Sequence, residues 1–214
     1  MKKAICLCIL IFFYLPIQAS ASNVKSSSYS NNNADIVVQY VYKKTNLEGV
    51  IDYAIFKQGF NAYTNTKGKK KSLLTIIDYS KPSTEKRFFV IDLKNHTLLY
   101  NTYVSHGVNS GGKMAKNFSN TVDSRKSSLG TYLTSTTYNG GNGYSLKLDG
   151  LTAGINDNAR RRYIVIHGAD YATETFIKRN GYLGRSWGCP ALPKKLSKKI
   201  IDTIKNGSVI FAHA

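Results

Sequence analysis

From residue 73 onward the apolar residues leave helical spacing and fall into short runs rich in β-branched and aromatic side chains, at 73–79, 87–93 and 98–105. Such runs, bounded by turn residues, read as strands, and Lys94-Asn95-His96 supplies the turn between the last two. Residues 130–137 and 144–148 continue the pattern around Asn139-Gly140-Gly141-Asn142-Gly143. The clearest strand covers 162–167, where Tyr163-Ile164-Val165-Ile166 delivers His167-Gly168 at its tip, and 209–211 closes the chain as a further strand. So many short strands require a sheet and exclude a helical bundle.

Helical spacing is confined to the flanks. Residues 36–42 fit a strand or a short helix equally. Thr45-x-x-Glu48 has the form of a capping box, and Leu47, Val50, Ile51, Ala54 and Ile55 follow at helical spacing, which predicts a helix over 46–62. A second is expected at 173–179, stopping at Asn180-Gly181. A third opens at Pro193, with Leu196, Ile200, Ile201 and Ile204 on one face and Gly207 beyond its end. The result is one α+β domain over 35–214, β-rich at its centre with peripheral helices. The Gly/Ser/Asn-rich stretch 105–128 is too long for an idle connection.

The first 21 residues have the form of a secretory signal: Lys2 and Lys3, an apolar run, then Ala19-Ser20-Ala21. Residues 22–34 are Ser/Asn-rich and are expected to form a flexible leader. Two of the three cysteines, Cys6 and Cys8, fall within the signal, so its removal leaves Cys189 alone. A lone cysteine in an exported chain forms no internal disulfide; it is inert, paired between chains, or kept for its chemistry. Lys and Arg outnumber Asp and Glu 30 to 12, a formal charge of +18, which favours anionic surroundings. Export and the lack of a recognition motif argue against nucleic acid, and association with the envelope is expected to be peripheral at most.

Cys189 lies in Gly184-Arg185-Ser186-Trp187-Gly188-Cys189-Pro190-Ala191. Glycine and proline on either side make this a shaped turn, whose successive N–H groups can converge on an anion beside a nucleophile. A thiol becomes a ready nucleophile when a histidine or a cation favours the thiolate, and His167 is the best-placed base. His96 and His213 read as surface residues, whereas His106 opens the long loop and is a candidate for the site wall. A zinc site from His106, His167 and Cys189 is the competing arrangement, although it lacks closely spaced ligand pairs.

His167-Gly168 followed by Ser186-x-Gly188-Cys189 resembles the signature of the L,D-transpeptidase (YkuD-like) family of bacterial cell-wall enzymes. The likeness extends through Ile77-Asp78-Tyr79-Ser80-Lys81-Pro82-Ser83, Val104-Ser105-His106-Gly107, Phe118-Ser119-Asn120, Ser127-Ser128-Leu129-Gly130-Thr131-Tyr132 and Gly154-Ile155-Asn156-Asp157-Asn158-Ala159-Arg160, and is similar to the murein L,D-transpeptidase catalytic domains. The resemblance implies a β-rich catalytic domain that needs no cofactor and no metal and acts on peptidoglycan stem peptides. It implies that Cys189 attacks the carbonyl of the third stem residue and releases the terminal D-alanine. His167 would hold Cys189 as thiolate, the Gly168 carbonyl would orient His167, and the N–H groups of Trp187, Gly188 and Cys189 would form the oxyanion hole. An amine, giving a cross-link, or water, giving carboxypeptidase activity, would resolve the acyl-enzyme, and a carbapenem would acylate Cys189.

Two positions depart from the commoner family pattern. Trp187 stands where many members carry a histidine, and Ala191 where many carry an arginine. If that arginine holds substrate carboxylate, another cation must replace it; Arg185 and the run from Arg160 to Arg162 are the candidates. Arg185, Arg160, His106 and Ser186 therefore form the expected substrate-binding set. The reading from another class is a non-catalytic, basic wall- or polyanion-binding protein, resting on the lysines at 67–71, 194–195 and 198–199.

Overall fold

The structure, a computed structural model, describes residues 25–214. The expected signal at 1–21 and the first residues of the leader, 22–24, lie outside them. Helix α1 (Lys25–Lys44) takes in the rest of the segment expected as a leader. Val38, Val41 and Tyr42, at helical spacing, are buried in the core. They settle 36–42 as helix, and propagation from a docked turn costs far less than starting a new one.

The helix expected over 46–62 is instead a turn followed by α2 (Tyr53–Asn65). Asn46 ends α1 in the left-handed region (φ 53), which asparagine tolerates. Leu47 and Ile51 then anchor the turn in the core. The N-cap is Asp52, whose Oδ1 accepts from the N–H groups of Ala54 (2.8 Å) and Ile55 (3.2 Å). The Thr45–Glu48 box was the misleading signal.

Among the described residues, eight strands form one mixed sheet: β1 (Leu73–Asp78), β2 (Phe88–Asp92), β3 (Thr97–Thr102), β4 (Gly130–Gly140), β5 (Gly143–Gly150), β6 (Val165–Ala169), β7 (Ala191–Pro193) and β8 (Val209–His213). Their spatial order is β3-β2-β1-β8-β4-β5-β6-β7, with β1–β8 and β6–β7 parallel and the other pairs antiparallel. Strand alternation sends Leu74, Ile76, Phe89, Ile91 and Val209 to a cluster with α1 and α2, while Ile77, Phe88, Val90 and Ile210 join a second with α4 (Lys194–Ile204). The central strands are thus buried on both faces, each Ile, Leu or Phe side chain contributing about 1.5–3 kcal/mol.

Helix α3 (Glu174–Asn180) has Thr173 as N-cap and ends at Gly181. In α4 the buried face is Ser197, Ile200, Ile201 and Ile204, whereas Leu196, expected on it, is 40% exposed. Ser197 takes that contact because α4 passes close to β6: a Cβ on Gly168 would lie 2.4 Å from Ser197 Oγ. No helix among the described residues is long and apolar enough to cross a membrane. Strand β7, which sequence periodicity did not reveal, lies beside β6 at the end of the sheet that carries the site.

Candidate active site

Two adjacent strands place Cys189 near His167 in the sheet. In the parallel β6–β7 pair, His167 faces Ala191, which puts Cys189 level with Val165, two residues short of His167. Two strand residues span about 6.6 Å. The Val165 N–H donates to Cys189 Sγ (3.5 Å), and the thiol donates to the Tyr163 carbonyl (3.6 Å). His167 Nδ1 lies 3.1 Å from the Gly168 carbonyl. A carbonyl only accepts, so Nδ1 carries the proton and Nε2 keeps its lone pair.

Charge at the site is suppressed at rest. Burial pushes the Cys189 thiol up, against the opposing pull of the Val165 N–H and the Arg162 guanidinium. Burial likewise pushes His167 down, the hydrogen bond to Gly168 opposing it. Both shifts favour the uncharged forms, a neutral Cys189 thiol and a neutral His167 imidazole, over the thiolate that the family resemblance implies.

The turn is shaped by Ser186. Its Oγ donates to the Cys189 carbonyl (2.6 Å) and accepts from the Gly188 N–H (3.1 Å). Its backbone bonds to the long loop, through Ser186 N–H to His106 O (3.0 Å) and Val108 N–H to Ser186 O (2.8 Å). Ser186 is buried and serves the turn, not the substrate as expected. Gly188 is required by its backbone (φ 119) and by the Lys126 carbonyl, 2.7 Å from where a Cβ would lie. Its N–H is spent on Ser186, so of the three donors expected for an oxyanion hole only the N–H groups of Trp187 and Cys189 have no partner among the described residues.

A cavity of about 630 Å³ opens over Cys189. Trp187 and Tyr163, 71% and 83% exposed, stand beside it with Asn109 and Asn142, and its charged groups are Asp123, Arg125 and Arg162. Arg162 is pinned by the long loop: Nη1 donates to Ser119 O (2.6 Å) and to Ser128 Oγ, and Nη2 to Ser124 Oγ (3.1 Å) and Lys126 O (2.6 Å). The segment 105–128 therefore builds one wall of the site. Sequence reasoning missed Asp123 and Arg125; the one available signal was their place in that overlong loop.

The other expected ligands lie elsewhere. His106 is fully buried, with Nδ1 2.7 Å from Arg87 Nη2 and Nε2 3.3 Å from the Gly111 carbonyl. Burial and the nearby Arg87 charge push it down to about 4. Its lone pair is spent on Arg87, so it neither touches substrate nor completes a zinc trio with His167 and Cys189. No cluster of three or more potential metal ligands occurs among the described residues. Arg160 pairs with Asp149 (2.6 Å), and Arg185 donates to Gly111 O (3.2 Å) and stacks on Tyr182; neither borders the cavity over Cys189. Ala191 is buried against Ala169, Ala172 and Tyr171, with no cation in its place. Among the lysines expected to serve polyanions, Lys194 and Lys198 close on Asp170 (3.1 Å) and Asp202 (2.7 Å).

A family profile described as L,D-transpeptidase catalytic domain matches residues 47–213. Among solved structures, an L,D-transpeptidase from Mycobacterium smegmatis is 15% identical, with 67% of this chain and 59% of that chain covered and a TM-score of 0.42. One from Mycobacterium tuberculosis is 12% identical, covering 67% and 58%, with a TM-score of 0.43. L,D-transpeptidase 3 from Mycobacterium tuberculosis, in complex with a faropenem-derived adduct, is 12% identical, covering 67% and 60%, with a TM-score of 0.37. The chain thus spans less than two thirds of the length of these solved chains. No curated protein matches in sequence.

Proposed function

The chain belongs to the L,D-transpeptidase catalytic domain family, and from that premise we propose that it is an exported cysteine acyltransferase of the bacterial envelope, acting on peptidoglycan stem peptides through Cys189 and His167. The observation that carries the residue assignment is the β6–β7 register, which sets Cys189 against Val165 two residues from a histidine whose Nε2 is free.

The mechanism starts from the neutral pair. Substrate entering the cavity displaces the thiol from the Tyr163 carbonyl, and the S–H proton passes to His167 Nε2. The sulfur attacks the carbonyl carbon of the third stem residue, and the developing oxyanion is met by the N–H groups of Trp187 and Cys189. Collapse of the tetrahedral intermediate breaks the amide bond. The leaving D-alanine amine takes the proton from His167, and a thioester remains on Cys189. An acceptor amine, or water, then gives its proton to His167 and attacks the thioester, releasing the sulfur, which regains the proton. Dividing one difficult acyl transfer into two easier steps is the gain of covalent catalysis.

The test is turnover of purified tetrapeptide stems by the native protein and Cys189→Ala side by side, followed by mass spectrometry. Native protein is expected to release D-alanine and form cross-linked or trimmed products, and Cys189→Ala to do neither. Equal turnover by the two rules out the assignment. A carbapenem is expected to add its mass to the native protein and not to Cys189→Ala.

A further inference from the structure

Each peptide unit of the turn from Ser186 to Cys189 is held at one end. The Ser186 carbonyl accepts from the Val108 N–H (2.8 Å), the Gly188 N–H donates to Ser186 Oγ (3.1 Å), and the Gly188 carbonyl accepts from Ser127 Oγ (3.2 Å). In a trans peptide the C=O and the N–H point in opposite directions. Holding the Ser186 carbonyl therefore turns the Trp187 N–H away from the long loop, and holding the Gly188 carbonyl does the same for the Cys189 N–H. The two N–H groups that have no partner among the described residues belong to the two peptides whose carbonyls that loop grips.

The two contacts come from opposite ends of the 105–128 segment, which close on each other against the turn. Gly107 permits this approach: a Cβ there would lie 2.5 Å from the Arg125 carbonyl oxygen, 2.9 Å from Ser127 N and 3.0 Å from Gly188 Cα. Ser127 is 2% exposed and fixed at its backbone, where its N–H donates to Ser110 Oγ (2.8 Å). Its Oγ accepts from the Gly107 N–H (3.1 Å), which directs the hydroxyl proton to the Gly188 carbonyl.

We propose that the Ser127 hydroxyl and the Val108 N–H are positioning groups that preorganise the oxyanion site, by holding the carbonyl ends of the Gly188–Cys189 and Ser186–Trp187 peptides. The proposal rests on the acyl-transfer reading, and it gives the overlong loop a part in the chemistry besides walling the cavity. Donors already aimed where charge develops need no reorientation during the reaction.

The test compares two reactions of Cys189, each followed by intact mass. A carbapenem acylates the sulfur through a tetrahedral oxyanion as its lactam C–N bond opens, whereas iodoacetamide alkylates it by displacement of iodide, with no oxyanion. Ser127→Ala is expected to lower the acylation rate about tenfold, less than the loss of about 10²–10³-fold when a donor itself is removed, and to leave alkylation within about twofold of native. Val108→Pro removes the other contact and should act in the same way; Gly107 already has the extended backbone that precedes proline (φ −69, ψ 144). Thr134→Val is the control for stability. It strips a buried hydroxyl remote from the turn, which donates to the Ile204 carbonyl (2.7 Å) and accepts from the Ser208 N–H (2.9 Å), and it should leave the ratio of acylation to alkylation unchanged. A native ratio in either Ser127→Ala or Val108→Pro, or a lowered ratio in Thr134→Val, overturns the proposal. Native protein that is alkylated but never acylated overturns the acyl-transfer reading on which it rests.

Discussion

Two histidines occur in similar local sequence, each preceding a glycine: Ser105-His106-Gly107 beyond the end of β3, and Ile166-His167-Gly168 within β6. In His167, Nδ1–H is spent on the adjacent carbonyl and Nε2 stays available. In His106, both nitrogens are spent, Nδ1 accepting from Arg87 and Nε2–H donating to Gly111. The tautomers are opposite because the partners are. Arg87 is itself buried, donates to the Val104 and Lys81 carbonyls, and lies over the Tyr79 ring, so its charge is met by carbonyl dipoles and a π face, with the Asp78 carboxylate adding a favourable field. A histidine acts as a base only where the fold leaves one nitrogen unclaimed, and that is decided by residues remote in sequence.

The largest effects should separate the two. His167→Ala is expected to lower stem turnover by about 10²–10⁴-fold, the usual worth of a positioned base, with a smaller loss of stability than His106→Ala. His106→Ala should cost about 2–4 kcal/mol, from a cavity and a buried Arg87 donor left without its acceptor. Turnover per folded molecule should then change only a few-fold. Thermal unfolding and turnover measured on both variants check this; the reverse pattern would dissolve the distinction.

Acid should separate them again. His106 is held down to about 4 in the folded chain, below the ordinary 6.5. Between those values the unfolded chain binds the proton and the folded one resists it. Its contribution is therefore present above about pH 6.5 and is lost as pH falls toward 4, by about 3 kcal/mol. Denaturant unfolding across that range should show the loss in native protein and much less of it in His106→Gln. At His167 the same direction of shift should put the acid limb of kcat/KM below pH 6.5. With the thiol raised by burial, Cys189 alkylation by iodoacetamide should keep rising with pH past 9.0. A plateau near neutrality would instead mean a resting ion pair.

What the sequence made legible follows the range of the interactions. The strands around 73–79, 87–93 and 130–148 follow from β-branched and aromatic runs bounded by turn residues, which are local. The Cys189 turn was legible from its glycines, proline and family likeness. The role of His106 was not, because Arg87 is brought to it only by the pairing of β2 with β3 and the return of the chain through Val104. Arg125 and Asp123 escaped for a similar reason. An arginine and an aspartate in a polar loop look solvated until Arg162, from beyond the β4–β5 hairpin, pins Ser124 and turns that loop into a wall. Thr45–Glu48 failed in the opposite sense: the local pattern has the form of a cap, but the Thr45 hydroxyl is buried without a hydrogen-bond partner and Asp52 caps the helix, while Leu47 and Ile51 pack into the core as a turn.

The smallest effects concern the two arginines expected to hold substrate. Arg185 belongs to the His106 side of the molecule, since its Nη1 donates to the same Gly111 carbonyl that receives His106 Nε2–H. Arg160 is bound to Asp149, a pair with 47% and 42% of the side chains exposed. Exposed pairs of this kind contribute about 0–1 kcal/mol. Arg185→Ala and Arg160→Ala are therefore expected to shift unfolding by no more than about 1 kcal/mol and to leave KM for the stem unchanged, because neither side chain borders the cavity over Cys189. If KM rises in either variant while the unfolding midpoint stays put, the stem reaches beyond that cavity, and the line between a catalytic and a structural histidine no longer coincides with the edge of the substrate site.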